Sequence, residues 1–581
     1  MNPEKGHSWD NLTADLVERV VSFLDPNEVV STVKEINKAM ASHFREKVAI
    51  RLSQPVPHHA FNRHWSRPEA VHNFTRSKRR ELVLLTARSG SLANLQVAVK
   101  AASCELSWQV FDAAAEGGHL EMCQWLQEED FPIDSFAAVK AARSGHLQTV
   151  RWLLQQEDDF HARRSIRCSS FIAAACAGHQ TVCEGLLEDE GGTLGKLLRT
   201  CPADAAHSGH VGLTHWLLQR SGPEFEQVSS VREEWMAGVI TGAAYGFDLA
   251  ALQHLHQTLL QYGGNSGNDA SSLLTGDTLA EALVSPTPDW RAKVEWLQAQ
   301  GCRLHGVQDF DWEALASRQD AVERAQRLLM EVEEKDVVER ILISAVRRDN
   351  LSLIRYLRVG RDWLPERKKE AVVTAARAGN MVLLVELVTL GWLLDGWTAL
   401  AAVEGGHLHI LKWMGAGVVQ KHIQELVQSH QALLTHATSS GSVEFMEWLL
   451  NEVALPWSGE ELLNAAVTAG SPALLEWLVA RGFPMGDDGE LYVRAAHHHD
   501  LVILRCLRRL GCTWGPDVFS RAVYGRGHGS TLEVLQWLHA EGCPVDWEEA
   551  RSRAKTRKDQ CVWYENAVAV HAWIESIAPR A

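Results

Sequence analysis

Small and apolar residues recur along this chain in one order: two alanines, a glycine-centred turn, then leucines at helical spacing. The phrase reads Ala113-Ala114, Gly118-His119-Leu120, Trp125-Leu126, and next Ala141-Ala142, Gly145-His146-Leu147, Trp152-Leu153. It returns at Ala402, Gly406-His407-Leu408, Trp413-Met414 and at Ala465-Ala466, Gly470, Trp477-Leu478. With the turn residue as anchor, units fall at 90, 118, 145, 178, 209, 349, 379, 406, 441, 470 and 499, with Asp349 and His499 in place of Gly. Weaker anchors stand near 247, 289 and 530. Neighbouring intervals in the regular stretches run from 27 to 35 residues, and the gap from 289 to 349 fits two units, with Asp320 to Leu328 as the eroded one. Self-similarity at this period marks a stacked repeat array.

Each position has a physical reason. Ala stands four residues before the anchor at 114, 141, 174, 205, 345, 375, 402, 437, 466 and 495, where a second helix folding back closely demands a small side chain. Gly at the anchor takes positive φ and stops the first helix. Leu stands eight residues after it at 126, 153, 186, 217, 357, 387, 449, 478 and 507, completing the buried stripe of a short second helix. The repeated Trp125, Trp152, Trp216, Trp413, Trp448 and Trp477 read as buried packing between repeats rather than a ligand box. The pattern predicts an all-α fold, a helical solenoid of about 14 helix-turn-helix repeats.

The pattern also divides the chain. Residues 81–262 carry the first half of the array and 346–558 the second. Between them, 263–345 reads as irregular or degenerate, interrupted by Gly263-Gly264-Asn265-Ser266-Gly267-Asn268 and Ser285-Pro286-Thr287-Pro288. Residues 559–581 place Val562, Trp563, Ala567, Val570, Trp573, Ile574 and Ile577 at helical spacing, as expected of a C-terminal capping helix. Residues 1–48 form a separate helical module with an apolar stripe of Leu12, Leu16, Val20, Phe23 and Leu24 ending before Asp25-Pro26, and Val29, Val33 and Ile36 open a second helix. Residues 49–80, with Pro55, Pro57 and Pro68, read as a linker.

Composition narrows the function. A formal charge of −16 argues against a dedicated nucleic-acid binder. The local basic run Arg76-Ser77-Lys78-Arg79-Arg80 reads as a solvated linker before a nuclear signal. No apolar stretch reaches the length of a membrane span, and residues 1–30 lack the pattern of a signal peptide, so a cytoplasmic or nuclear protein is expected. The eleven cysteines contain no CxxC, and Cys302, Cys512 and Cys543 each follow a repeat-ending Gly, which is repeat usage and not a disulfide framework.

Chemistry is sparse. His119, His146, His179, His210 and His407 all follow an anchor and serve local hydrogen bonding. His497-His498-His499-Asp500 is the best metal-like cluster, but consecutive residues on a helix diverge. No GxSxG, P-loop, GxGxxG, HExxH or EF-hand loop occurs. No enzyme, cofactor or metal site is expected.

The phrase Ala-Ala-x-x-Gly-His-Leu resembles the ankyrin repeat. Its closest copy runs from Asp395-Gly396-Trp397-Thr398-Ala399-Leu400 to Gly406-His407-Leu408, with Ala401 where the family places His. Most units lack the Thr-Pro-Leu-His segment, so the β-hairpins between repeats are in question while the helix pairs are not. The resemblance implies a protein partner on the array surface and a monomer. The string Asn11-Leu12-Thr13 through Leu24-Asp25-Pro26 resembles the start of an F-box, with Thr13 at the usual Pro position. That resemblance implies that Leu12, Leu16, Val20, Phe23, Leu24 and Pro26 dock a Skp-type adaptor, making the chain the substrate-recognition subunit of a cullin-type ubiquitin ligase. A free-standing ankyrin-like scaffold or inhibitor, with the N-terminal helices as a cap and no ubiquitin link, stays open beside it.

Overall fold

The turn that carries the repeat has one backbone design. In the copy at Gly406, φ is 71°, the Gly406 amide donates to the Val403 carbonyl at 2.9 Å, and the His407 amide donates to the Ala402 carbonyl at 2.8 Å. This is the left-handed Schellman ending of a helix. The alanine four residues before the anchor therefore has two tasks. Its methyl is buried (Ala114, Ala141, Ala345, Ala402, Ala466 and Ala495 are all 0 % exposed), and its carbonyl closes the turn. Asp349 (φ 54°) and His499 (φ 51°) make the same pair of bonds, so they do replace Gly, at the modest strain of a left-handed side-chain-bearing residue.

The computed structural model describes residues 13–579 apart from 47–48, 105–106, 130, 132, 135, 189–200, 222–228, 263–272, 305–309, 333–334, 359–364, 416–418, 420–429, 454–456, 525–528 and 561–564. Among the described residues every element is a helix and no strand occurs. The chain divides into two compact units, one of residues 1–134 with 434–581 and one of 135–433.

The second unit is a run of helix pairs, from Ala137–Arg143 with Leu147–Gln156 to Gly396–Glu404 with Leu408–Met414. First helices pack on first helices of the neighbouring pair, and the leucines eight residues past the anchors lie beneath them, fully buried at Leu217, Leu357 and Leu387. The expected irregularity of 263–345 does not extend through the described part. Gly276–Val284 pairs with Trp290–Ala299, Trp312–Ser317 with Ala321–Glu331, and Lys335–Arg347 with Leu351–Arg358. The gap between anchors 289 and 349 thus holds two units, the second turning at Asp320. The turns at 289 and 320 carry Asp where others carry Gly, which weakened their mark on the periodic pattern.

The first unit has repeats at both ends of the chain. Arg76–Ser89 with Leu92–Ala102 and Gln109–Glu116 with Leu120–Glu128 belong to it, as do the pairs from Val443 onward. Trp547–Gln560 and Glu565–Ile577 form its last pair, so the terminal helix that buries Ala567, Val570 and Ile574 completes a full repeat. Val562 and Trp563 lie outside the described residues.

Residues 49–80 are not a linker. Pro57 caps the helix His58–Trp65, Pro68 opens a 3-10 turn over Pro68–Val71, and Thr75 caps Arg76–Ser89. The prolines mark helix starts, where a missing amide is harmless. Val56, Phe61 and Val71 are buried, and Trp65 packs between Phe61 and Phe74.

The repeated tryptophans also differ from expectation. Trp125, Trp152, Trp216, Trp448 and Trp477 are half-buried and Trp413 is 37 % exposed. Each precedes the inward leucine (Met414 after Trp413) by one residue and so lies about 100° round the helix, at the edge of the stripe. Arg220 and Arg481 cover Trp216 and Trp477 at 4.5 and 4.7 Å from the ring centres.

Stacking is enforced at the turns. Three of the histidines after an anchor reach the preceding repeat: His119, His210 and His407 place Nε2 at 3.0, 3.1 and 3.0 Å from the carbonyls of Arg88, Cys176 and Arg377. A Cβ on Gly379 would lie 2.4 Å from the His407 ring, and on Gly90 2.3 Å from His119. Exposed ion pairs run alongside, such as Arg355–Glu386 and Arg377–Glu404, but such pairs contribute under about 1 kcal/mol. Glycine at these turns is needed twice, for its φ and for the ring it admits. Gly379→Ala is expected to destabilise the chain by about 2–4 kcal/mol. His407→Ala added to it removes the clash and leaves only the φ strain, so the double variant falls short of the sum of the two single changes in denaturant unfolding.

Candidate interaction surfaces and the clasp behind them

The N-terminal helix Ala14–Val21 has two apolar stripes one residue apart. Val17 and Val21 face inward, where they form a small core with Val29, Val33, Met40 and Phe44, and Leu24 packs half-buried against it. Leu16, Val20 and Phe23 share the other face at helical spacing and are 49, 42 and 83 % exposed. Pro26 is exposed at the start of the next short helix, and Leu12 lies outside the described residues. Of the residues expected to dock a partner, three therefore form an open apolar face, and Leu24 leans into the core. Val17 and Val21, absent from that set, are what hold the face in place.

The module is anchored by one polar residue. Asn27 is fully buried; its amide nitrogen donates to the carbonyls of Arg51, Gln54 and Pro55 at 2.8, 3.2 and 3.0 Å, and its oxygen accepts from the Arg51 amide at 2.8 Å. A side-chain amide so satisfied fixes the loop 51–55 against the helices.

The basic run at 76–80 is solvated only on one side: Lys78 is exposed, but two of its arginines turn inward. Arg79 is fully buried and Arg76 nearly so, and both meet Asp500, itself fully buried. Arg79 donates to both Asp500 oxygens at 3.0 and 2.6 Å, and Arg76 Nε donates to Oδ2 at 3.0 Å. Asp500 also caps its own helix by accepting from the Ile503 amide at 3.1 Å. Two guanidiniums on one carboxylate leave a surplus positive charge. It is placed against the ends of two helices: Arg76 donates to the carbonyls of Val467 and Thr468 at 3.0 Å each, and Arg79 to those of Gly470 at 3.1 Å and Ala102 at 2.7 Å. Helix C-termini carry the partial negative charge that such a cation requires.

The position of Asp500 explains the arrangement. It follows the anchor His499, where other repeats carry the histidine that donates to the turn before. A carboxylate only accepts. The turn at Gly470 therefore lacks its donor from the next repeat, and the arginines of the first repeat supply it. The signal for this was present in the sequence as an acidic residue at a donor position, but its partners lie 421 and 424 positions away.

The three histidines beside Asp500 go separate ways. His497 Nε2 lies 3.1 Å from the Arg521 carbonyl, and His499 Nδ1 accepts from the Thr531 amide at 3.0 Å. Burial, reinforced by Arg76, Arg80 and Arg494 and opposed by Asp500, brings His498 down to about 4. Among the described residues no cluster of His, Cys, Asp or Glu gathers as a metal site, and no helix is long and apolar enough to cross a membrane. Burial pushes the Cys512 and Cys543 thiols up to about 11 and about 12, as for packing residues rather than nucleophiles.

A family model for ankyrin repeats, in three copies, matches residues 110–197. It does not reach residues 1–48. No curated protein matches the chain. Among solved structures, the pentatricopeptide repeat protein PPR10 from maize aligns at 11% identity over 98% of this chain and 99% of that one, with a TM-score of 0.23. The same protein in complex with an 18-nt psaJ RNA element aligns at 11% identity over 97% of this chain and 100% of that one, again at 0.23. Likeness of that degree supports no statement about this chain.

Asp500→Ala is expected to cost about 3–5 kcal/mol, because it leaves two buried guanidiniums without a counter-charge. Arg79→Met together with Asp500→Ala should cost less than the sum of the single changes, read as hydrogen exchange in the helices Arg76–Ser89 and Gly459–Ala469. His498 adds a pH dependence. Its folded value of about 4 lies below the ordinary histidine value of 6.5, so the unfolded chain takes up the proton first on acidification. Stability present above pH 6.5 is therefore lost as pH falls toward 4, by about 1–3 kcal/mol once partial exposure is allowed for. His498→Gln should flatten that difference in unfolding measured across the same range.

Proposed function

We propose that the chain is a protein-interaction scaffold, a binding protein and not an enzyme, and that its N-terminal helix docks an adaptor. The observation that carries this reading is the open face of Leu16 and Val20, continued by Phe23 just past the helix end, on a helix whose adjacent face is already occupied. A helix that needs only to cap its neighbour has no use for a second apolar stripe, since exposing large apolar groups favours association. The resemblance of this segment to an F-box points to a Skp-type adaptor, and so to the array as the part that selects a substrate for a cullin-type ubiquitin ligase. Ankyrin repeats over residues 110–197 support the substrate-selecting role, because stacked repeats present long surfaces to other proteins.

A second reading has its own support. Asn27 binds the module to residues 51–55 through four hydrogen bonds, as a cap would be bound. In that case the chain is a free-standing scaffold or inhibitor. Co-purification with a Skp-type adaptor separates the two: the wild-type chain should retain it and a Leu16→Asp, Phe23→Asp variant should lose it at an unchanged thermal midpoint. Equal absence of adaptor from both leaves the cap reading, under which removal of residues 1–50 lowers the thermal midpoint of the rest.

A further inference from the structure

We propose that a cleft in the first unit binds an acidic peptide segment of a protein partner. It lies between the N-terminal helices His58–Trp65 and Leu92–Ala102 and the helix Leu501–Arg509, and encloses about 570 Å³. That is the size range of pockets that hold a few side chains. Its floor is apolar, from Trp65, Val97, Val502 and the buried Cys506, and its rim carries Arg67, Lys100 and Arg505.

The rim cations stand apart from the others in the chain. Along the repeats an arginine typically faces a glutamate one repeat away, as in Arg327–Glu295, Arg355–Glu386 and Arg377–Glu404. Arg67, Lys100 and Arg505 are exposed and pair with no carboxylate among the described residues. Glu476, which two of the lining residues reach, is already shared by His72 at 2.9 Å and by Arg509. In a chain with 73 acidic and 57 basic residues, three uncompensated cations around one concavity form a local positive site. Long-range repulsion from the remaining charge is screened within about 10 Å at ordinary salt, so the cleft acts on its own.

The apolar floor decides among anions. A free phosphate or carboxylate gains nothing from Trp65 and Val97, whereas a peptide seats an apolar side chain there and sets flanking carboxylates on the rim. A nucleic acid needs cations tracking its backbone beyond one cleft, and the chain's charge of −16 opposes that. The two walls are joined beside the clasp at Asp500: the Leu501 amide donates at 3.1 Å to the carbonyl of Ser103, which lines the cleft. The proposal is independent of adaptor docking at Leu16 and Phe23, whose failure would leave it standing.

The test uses the full-length chain and fluorescein-labelled short peptide pools, one mixing Glu and Asp with Leu, Phe and Val, the other with Lys in place of the acids. A labelled oligo-dT of matched length is the third probe. The acidic pool should bind, weaken with added salt, and weaken at least about tenfold in a Lys100→Glu, Arg505→Glu variant of unchanged thermal midpoint. Arg67→Glu on the opposite wall provides the same reading should the double variant fail to fold. No binding of the acidic pool, equal binding of the Lys pool, preference for oligo-dT, or indifference to these reversals overturns the proposal.

Discussion

A helix that ends at a tight turn leaves carbonyls without partners, and in this chain the next repeat must supply them. The constraint is general to buried helix ends. Its solution here is local and varied. Histidine serves at 119, 210 and 407, and Asn350 donates to the Ala316 carbonyl at 2.9 Å from the same position. In the stretch where Asp289 and Asp320 replace the glycine, a cation four residues later takes over. Lys293, fully buried, donates to the carbonyls of Ala244 and Phe247 at 2.6 and 2.8 Å, and Arg324 to those of Leu283 and Ser285 at 2.7 and 2.9 Å. Each repeat is thus tied to its predecessor through backbone rather than through surface charge.

The same constraint explains why distant parts of the chain share a unit. Donors of any kind satisfy a turn, but an acceptor leaves it open. Asp500 is that acceptor, and once it occupies the donor position, a cation from elsewhere is required. Arg76 and Arg79 meet the requirement from the first repeat. The clasp is not a salt bridge added to a finished fold; it replaces a hydrogen bond that the turns at Gly90, Gly178, Asp320 and Gly379 obtain from their neighbours. A buried ion pair by itself is weak evidence of stability. Here the helix-end carbonyls absorb the surplus charge: removal of the arginines leaves carbonyls and the Asp500 carboxylate unpaired together, and removal of Asp500 leaves two buried cations without a counter-charge.

What was legible in the sequence follows from this distinction. The alanine, glycine and leucine positions answer to backbone geometry and close packing, which act within one repeat, and they could be read directly, down to Asp349 and His499 as stand-ins for glycine. The turns at Asp289 and Asp320 were harder, because they reach the same end with different residues. The basic run at 76–80 misled because a charged segment looks solvated until its counter-charge is found, and that counter-charge lies in another repeat. The prolines before it misled in the same way: Pro57 and Pro68 interrupt a pattern when read as spacing, yet begin helices when read as capping chemistry. The tryptophans were placed one step too deep, since a recurring aromatic is as well served by the edge of a stripe, under an arginine, as by its centre.

Function in such a molecule resides where the pattern is broken without a structural reason. The repeat positions are consumed by stacking, and several histidines and many arginines are accounted for by turns and neighbouring glutamates. Two features are not. One is the second apolar stripe of the first helix, where Phe23 is 83 % exposed although Val17 and Val21 already secure the helix. The other is the uncompensated rim of Arg67, Lys100 and Arg505, beside a wall that the Asp500 clasp has fixed. Both lie in the unit built from the two ends of the chain, and both need that unit's core intact to be presented at all. A substitution at the clasp would therefore be felt first at the cleft whose walls it joins, before the stack of the other unit, where turns such as those at Gly178, Asp320 and Gly379 draw on the next repeat of that same stack, lost any hydrogen bond.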